Sequence, residues 1–215
     1  MPDDELAPER RSFTFRAAAL FLSFGVVAVG IALMVSSHLG VSPADILSTG
    51  GAERLGIGVG TMGWISGAIF TLIAWSLKRP PQWGTLLGAV FVGLFVNIAI
   101  DLTPEPEALV ARIPMLLAGL ALIYTAVSIG VATTLGTGPM ELLMLGLSDK
   151  GMSVQVARWG LEAVVFVIGV VLGGELGVGT VLFVLLTGPV LARTIPPCTA
   201  YMGTTVMMTP KGLDV

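Results

Sequence analysis

Apolar residues in this chain neither alternate nor trace a single helical stripe. They fill six long runs, at about 17–36, 59–77, 83–100, 113–134, 153–172 and 178–195. The first, AAALFLSFGVVAVGIALMVS, carries no charge over 20 positions. A bilayer core about 30 Å thick is crossed by about 20 helical residues. The pattern therefore predicts an all-α, polytopic membrane protein with six transmembrane helices. After runs one and four it is interrupted in the same way, by LGVSPADIL at 39–47 and LGTGPMELL at 135–143. Pro43 and Pro139 disfavour helix at the residues before them, Ser42 and Gly138, yet each suits the first turn of a new helix. A short broken or re-entrant helix is expected to start at each proline, with room for about 12 residues, roughly half the bilayer. PMELLMLGL is apolar on nearly all sides and suits a re-entrant helix packed in protein. PADILSTGGAERL is more polar and suits the membrane interface.

The two interruptions belong to a longer repeat. Leu39, Gly40, Pro43, Asp45 and Gly50 match Leu135, Gly136, Pro139, Glu141 and Gly146 at an offset of 96. One deletion near residue 55 changes the offset to 95. Gly56, Val59 and Trp64 then match Gly151, Val154 and Trp159, and Gly84, Thr85 and Gly93 match Gly179, Thr180 and Gly188. Three spans per half is an odd number, so the second half should enter the membrane from the opposite side. Two inverted three-span repeats are an architecture of secondary transporters. The expected division is a cytoplasmic N-terminal tail at 1–14, a first repeat at 15–102, a second at 112–195, and a cytoplasmic C-terminal tail at 196–215.

Composition sharpens this picture. The chain is 54% hydrophobic and 12% charged, with a mean hydropathy of +0.92, far from what covers a soluble surface. The first run is longer than the 7–15 residues usual in a signal peptide, so it is kept as a span. Arg10, Arg11, Arg16, Lys78, Arg79, Lys150, Arg158, Arg193 and Lys211 fall on one side of the predicted topology. Arg54 and Arg112 fall on the other, beside Asp101, Glu105, Glu107 and Glu175. The positive-inside rule then places both termini in the cytoplasm. Cys198 is the only cysteine and His38 the only histidine, which leaves no internal disulfide and makes a metal site unexpected. A net charge of −3 gives no reason to expect nucleic acid. GTGPME lacks the lysine and preceding strand of a phosphate loop, and no cofactor is expected.

The candidate pathway residues are Asp45, Asn97, Glu141, Arg158 and Glu162, with Pro43 and Pro139 as the helix-break motif. Asp45 and Glu141 fall where an acid caps a helix start. Ser42-Pro-Ala-Asp45 reads as a capping box, and Gly138 takes the serine's place before Glu141. The same acids are also placed to face a polar cavity where broken helices meet. Glu162 is about nine residues into the fifth run, about 14 Å deep, and Arg158 one turn earlier shares its face. The pair reads either as a packing contact or as a pathway group in which Glu162 changes protonation during a cycle. Asn97 is a helix–helix hydrogen bond or a pathway group. His38 is expected at the interface. No nucleophile–base pair is visible, so an enzyme is not expected.

Over about residues 15–195 the chain resembles the YczE/YyaS/YitT-type family of bacterial integral membrane proteins. The resemblance rests on LGVSPADIL, LGTGPMELLMLGL, RWGLE at 158–162 and GGELGVGTVLFVLLTGPV. Ala44 departs from the aromatic expected before the first acid. The resemblance implies a six-span protein of the bacterial inner membrane and an export role for a small organic molecule. The leading expectation is a secondary transporter, an exporter coupled to protons or cations, whose partners are the lipid bilayer and a small-molecule or ion substrate. Association with copies of itself is compatible with this reading. The alternatives are a channel or passive facilitator, and a non-transporting membrane accessory protein.

Overall fold

The computed structural model describes residues 10–204, 207–209 and 212–214. Residues 1–9 of the expected N-terminal tail and Lys211 lie outside the described residues. Eight helices run in order: α1 (Phe13–Ser37), α2 (Pro43–Leu55), α3 (Val59–Ser76), α4 (Trp83–Leu102), α5 (Leu109–Thr133), α6 (Pro139–Ser148), α7 (Val154–Val171) and α8 (Val178–Met202). A small antiparallel hairpin, β1 (Met207–Thr209) with β2 (Gly212–Asp214), lies beyond this helical body. Among the described residues α1, α3, α4, α5 and α8 are long and apolar enough to cross a membrane. The 18 residues of α7 carry Arg158 and Glu162. The protein is a polytopic helical membrane protein. Three of its helices outrun the apolar runs by four residues or more: α1 starts at Phe13, α5 starts at Leu109, with Pro114 in its early turns, and α8 continues through Pro196 and Pro197 to Met202.

The centre is built by α1 against α5. Gly30 and Gly119 meet there, each lacking a side chain where the other's carbonyl oxygen sits. Close backbone approach through small residues is the usual way membrane helices associate, since lipid supplies no hydrophobic driving force. Met34, Val35, Leu116, Leu120, Ile123 and Tyr124 fill the core around the crossing. Both helices end in a left-handed residue, His38 at φ 50° and Thr134 at φ 55°. Each end is closed by an arginine from the start of the other helix. Arg16 donates to the Thr133 carbonyl at 2.9 Å and to Thr134 Oγ1 at 3.0 Å. Arg112 donates to the carbonyls of Ser37 and His38. These contacts satisfy carbonyls that no helix partner reaches, and they require α1 and α5 to lie antiparallel.

The chain then doubles back. Gly40, at φ 103°, lies against Gly177 and Thr180 at the start of α8, and the Gly179 amide donates to the Leu39 carbonyl at 2.7 Å. Next, α2 climbs along the end of α7, with Ile46 against Gly169 and Gly50 against Gly174. Asp45 at its start shares a cavity wall with Gly60, Gly63 and Thr85, so the start of the helix faces the interior. The same contacts recur with the halves exchanged: Gly136 lies against Gly84 and Thr85 at the start of α4, and Gly146 against Leu77 and Arg79 at the end of α3. The structure corrects the expectation for α2. Ile46, Leu47, Gly50, Gly51 and Ala52 are all buried, so this helix is packed in protein rather than laid on the interface. Its polar positions are satisfied locally, Ser48 bonding the Ala44 carbonyl at 3.3 Å and Thr49 the Ile46 carbonyl at 3.2 Å.

Candidate functional site

Both short helices aim their starts into the bundle, and each start carries its acid. Ser42 is the N-cap of α2: its hydroxyl accepts from the Asp45 amide at 3.2 Å and donates to Asp45 Oδ2 at 2.6 Å. The expected capping interaction is therefore present, with the serine hydroxyl standing in for the backbone amide on its return arm. On α6 the match fails. Gly138 has no side chain to cap with. The Glu141 carboxylate folds over Gly138, where a Cβ would otherwise sit. Among the described residues it takes part in no hydrogen bond or ion pair.

Asp45 faces a cavity of about 250 Å³ bounded by α1, α2, α3, α4 and the turn before α6. Gly60, Gly63, Gly88 and Gly93 make room on its walls, while Ser48, Thr85 and Thr137 supply hydroxyls. Glu141 faces a second cavity of about 190 Å³ between α1, α5 and α6. Thr137 and Gly138 line both cavities, so this turn separates the two carboxylates' compartments. It is tied to α4 by the Thr137 amide, which donates to Thr85 Oγ1 at 3.2 Å.

The other candidates lie apart from the Asp45 cavity. Arg158 and Glu162 form an ion pair at 3.0 Å, with side chains 37% and 28% exposed. They line a recess of about 30 Å³ together with Met140, Glu141 and Met144. The amide of Asn97 is taken up by α3: it accepts from the Gly60 amide at 2.8 Å and donates to Thr61 at 3.0 Å. The five candidates thus divide into Asp45 alone, a Glu141–Arg158–Glu162 group, and a helix-packing Asn97. Sequence reasoning missed the arginine caps. The signal was present, because the offset of 96 that aligns Pro43 with Pro139 also aligns Arg16 with Arg112. Thr85 and Thr137 were also missed as lining groups, although Thr85 stood in the repeat.

At the opposite end of α1 from Arg16, His38 Nδ1 lies 2.7 Å from Glu175 and Nε2 lies 3.6 Å from Glu105. The hydrogen bond to Glu175, reinforced by the charges of Glu175 and Glu105, raises the imidazole above its ordinary pKa despite some opposing burial.

A family of unknown function, DUF6198, matches residues 14–196. An uncharacterized protein of Haemophilus influenzae is 32% identical over 173 residues, covering 80% of this chain and 79% of that protein. The uncharacterized membrane protein YczE of Bacillus subtilis is 30% identical over 190 residues, covering 87% and 88%. YyaS of the same organism is 27% identical over 179 residues, covering 80% and 88%. These relatives agree with the YczE/YyaS-type resemblance read from the motifs. No solved structure matches the chain.

Proposed function

This chain belongs to the DUF6198 family, of YczE/YyaS type, and from that premise we propose that it is a secondary transporter. It has six spans arranged as two inverted three-span repeats, both termini in the cytoplasm of a bacterial inner membrane, and exports a small organic molecule against protons or cations. One observation carries the reading: two inward-aimed broken helices bring Asp45 and Glu141 to two cavities divided by a single turn, Thr137–Gly138. Reciprocal arginine caps and exchanged glycine contacts support the inversion. Broken helices at a repeat interface are where such transporters hold substrate and coupling ion. A carboxylate lining an enclosed, mostly apolar wall, as Asp45 does, must exchange its proton or pair with a cation, which couples its state to what the cavity contains. On this reading coupling rests on Asp45 and Glu141 rather than on Glu162, which is already paired with Arg158.

The test is flux in vesicles holding the purified chain, with and without a pH gradient, across a panel of small organic solutes. Transport that accumulates a solute against its gradient, and loses that accumulation in Glu141→Gln while passive exchange persists, supports coupled transport. Flux that only ever runs downhill selects a facilitator. No flux for any solute selects the accessory role. Cysteine labelling at residues 105–108 should find that loop outside; labelling from the cytoplasm overturns the proposed topology.

A further inference from the structure

We propose that the Asp45 cavity binds a primary organic ammonium ion with a compact apolar body. This rests on the transporter reading for the ligand's role as cargo, but not for its binding. Of the residues lining the 250 Å³ cavity, Asp45 alone carries a full charge, and no lysine, arginine or histidine lines it. One carboxylate oxygen, Oδ2, is occupied by Ser42. Oδ1 accepts no hydrogen bond from the described residues.

Two helix starts face this region, each worth about +0.5 of a charge. They are already opposed by Asp45 and by Glu141, whose carboxylate folds over Gly138. Within the cavity Asp45 opposes about half a unit of charge at the start of its own helix, and Glu141 answers the start of α6 from the other side of the Thr137–Gly138 turn, so the cavity keeps a net negative charge of at most about one unit, which suits one monovalent cation. The oxygen supply narrows its chemistry. A hard metal cation wants about six or more oxygen ligands, whereas the wall offers one carboxylate and the hydroxyls of Ser48, Thr85 and Thr137. A primary ammonium has three N–H donors, which that set can answer. Everything else on the wall is glycine, proline or aliphatic, so the remainder of the ligand is apolar, as in most small-molecule sites.

Titration calorimetry on the detergent-purified full chain tests this with methyl-, butyl- and pentylammonium, and with 1-butanol as the uncharged match. Butylammonium should bind at least about 30-fold more tightly than 1-butanol, and Asp45→Asn should remove that difference. Gly63→Leu fills the cavity without touching charge, because a side chain at Gly63 enters open space. It should weaken pentylammonium about 10-fold or more and leave methylammonium within about twofold. A melting curve accompanies each variant, and if Asp45→Asn does not fold, the size dependence in Gly63→Leu carries the test. No amine binding to the native chain, equal binding of butanol and butylammonium, or unchanged affinity in a folded Asp45→Asn protein each overturns the site. Amine binding without vesicle flux sinks the transporter reading and leaves the site standing. Gradient-driven flux of other solutes with no amine binding does the reverse.

Discussion

The seam between α3 and α4 and the region between α7 and α8 occupy matching positions in the sequence but differ in construction. In the first half, a side chain on Gly60 would fall on the Gly93 carbonyl, so the two backbones touch. Asn97 bonds the Gly60 amide, and Trp64 Nε1 donates to the Val90 carbonyl at 2.8 Å across the missing side chain of Gly93. At the matching positions of the second half stand Gln155 for Gly60, Ala192 for Asn97, Trp159 for Trp64 and Gly188 for Gly93. Among the described residues no comparable packing joins α7 to α8. Trp159 is 62% exposed, and a side chain on Gly188 would meet nothing within 4 Å. In lipid, helices stay together through close small-residue contact and polar bonds. The first seam has both devices, while the second has a tryptophan and a glycine at the matching positions that do not meet. The closed seam bounds the Asp45 cavity; the open one leaves the Arg158–Glu162 pair partly exposed.

Matched glycine substitutions should break this comparison most severely. Gly60→Leu must force α3 from α4, and overpacking of this kind costs about 3 kcal/mol, more where backbone cannot yield. Gly188→Leu adds a side chain in open space and should change stability by less than about 0.5 kcal/mol. The check is the detergent melting temperature of both variants. Equal losses would mean that α7 and α8 are packed in solution as α3 and α4 are.

Much of this was legible in the sequence. Spans longer than 18 apolar residues leave few alternatives, and Pro43 and Pro139 mark both helix starts because proline restricts its neighbour as well as itself. The tilt of α2 into the bundle was not legible. Its serine and threonine hydroxyls look solvent-seeking on paper but bond their own helix, and Gly50 acts through a partner 124 residues away, Gly174. Asn97 was readable as polar and deep, but its partner was not, since Gly60 offers only a backbone amide. Asp45 and Glu141 looked equivalent. They differ because Ser42 can hold a carboxylate and Gly138 cannot.

The arginine caps sharpen the comparison from the side where the halves agree. Arg16 is 7% exposed and its Nε has no partner among the described residues, whereas Arg112 bonds both of its carbonyls from a part-exposed position. Hydrogen bonds from a charged donor contribute about 1.5–3 kcal/mol, and losing the donor strands a buried carbonyl. Arg16→Ala should therefore destabilise by about 2–3 kcal/mol, and Arg112→Ala by about 1–2 kcal/mol because one of its two acceptors, on His38, belongs to an exposed residue, although Ser37 is buried. Melting curves read both. A larger loss at Arg112 would reverse the ranking by burial. Lysine at either position should recover only part of the loss, since one ammonium lacks the planar fork that reaches two acceptors at once.

The smallest effect comes from the two cap residues themselves, where matching positions carry different chemistry. Thr134 cannot titrate, while His38 sits between Glu175 at 2.7 Å and Glu105 at 3.6 Å. The folded protein binds the imidazole proton more tightly than the unfolded chain, chiefly through the hydrogen bond to Glu175. A raised pKa of this kind contributes stability that is fully present below the unfolded value of about 6.5 and is lost as pH rises through the folded value. The melting temperature should fall across that window on going from about pH 5.5 to 8.5, and His38→Gln should remove this component of the slope. With the His38 side chain 42% exposed, the contribution is held below about 1 kcal/mol and should shrink further in high salt. Glu175→Gln should flatten the curve more than Glu105→Gln, because it removes the hydrogen bond as well as a charge. A His38→Gln protein that keeps the full slope would show that the pH dependence arises elsewhere, and that the two cap residues are as alike in behaviour as they are in backbone conformation.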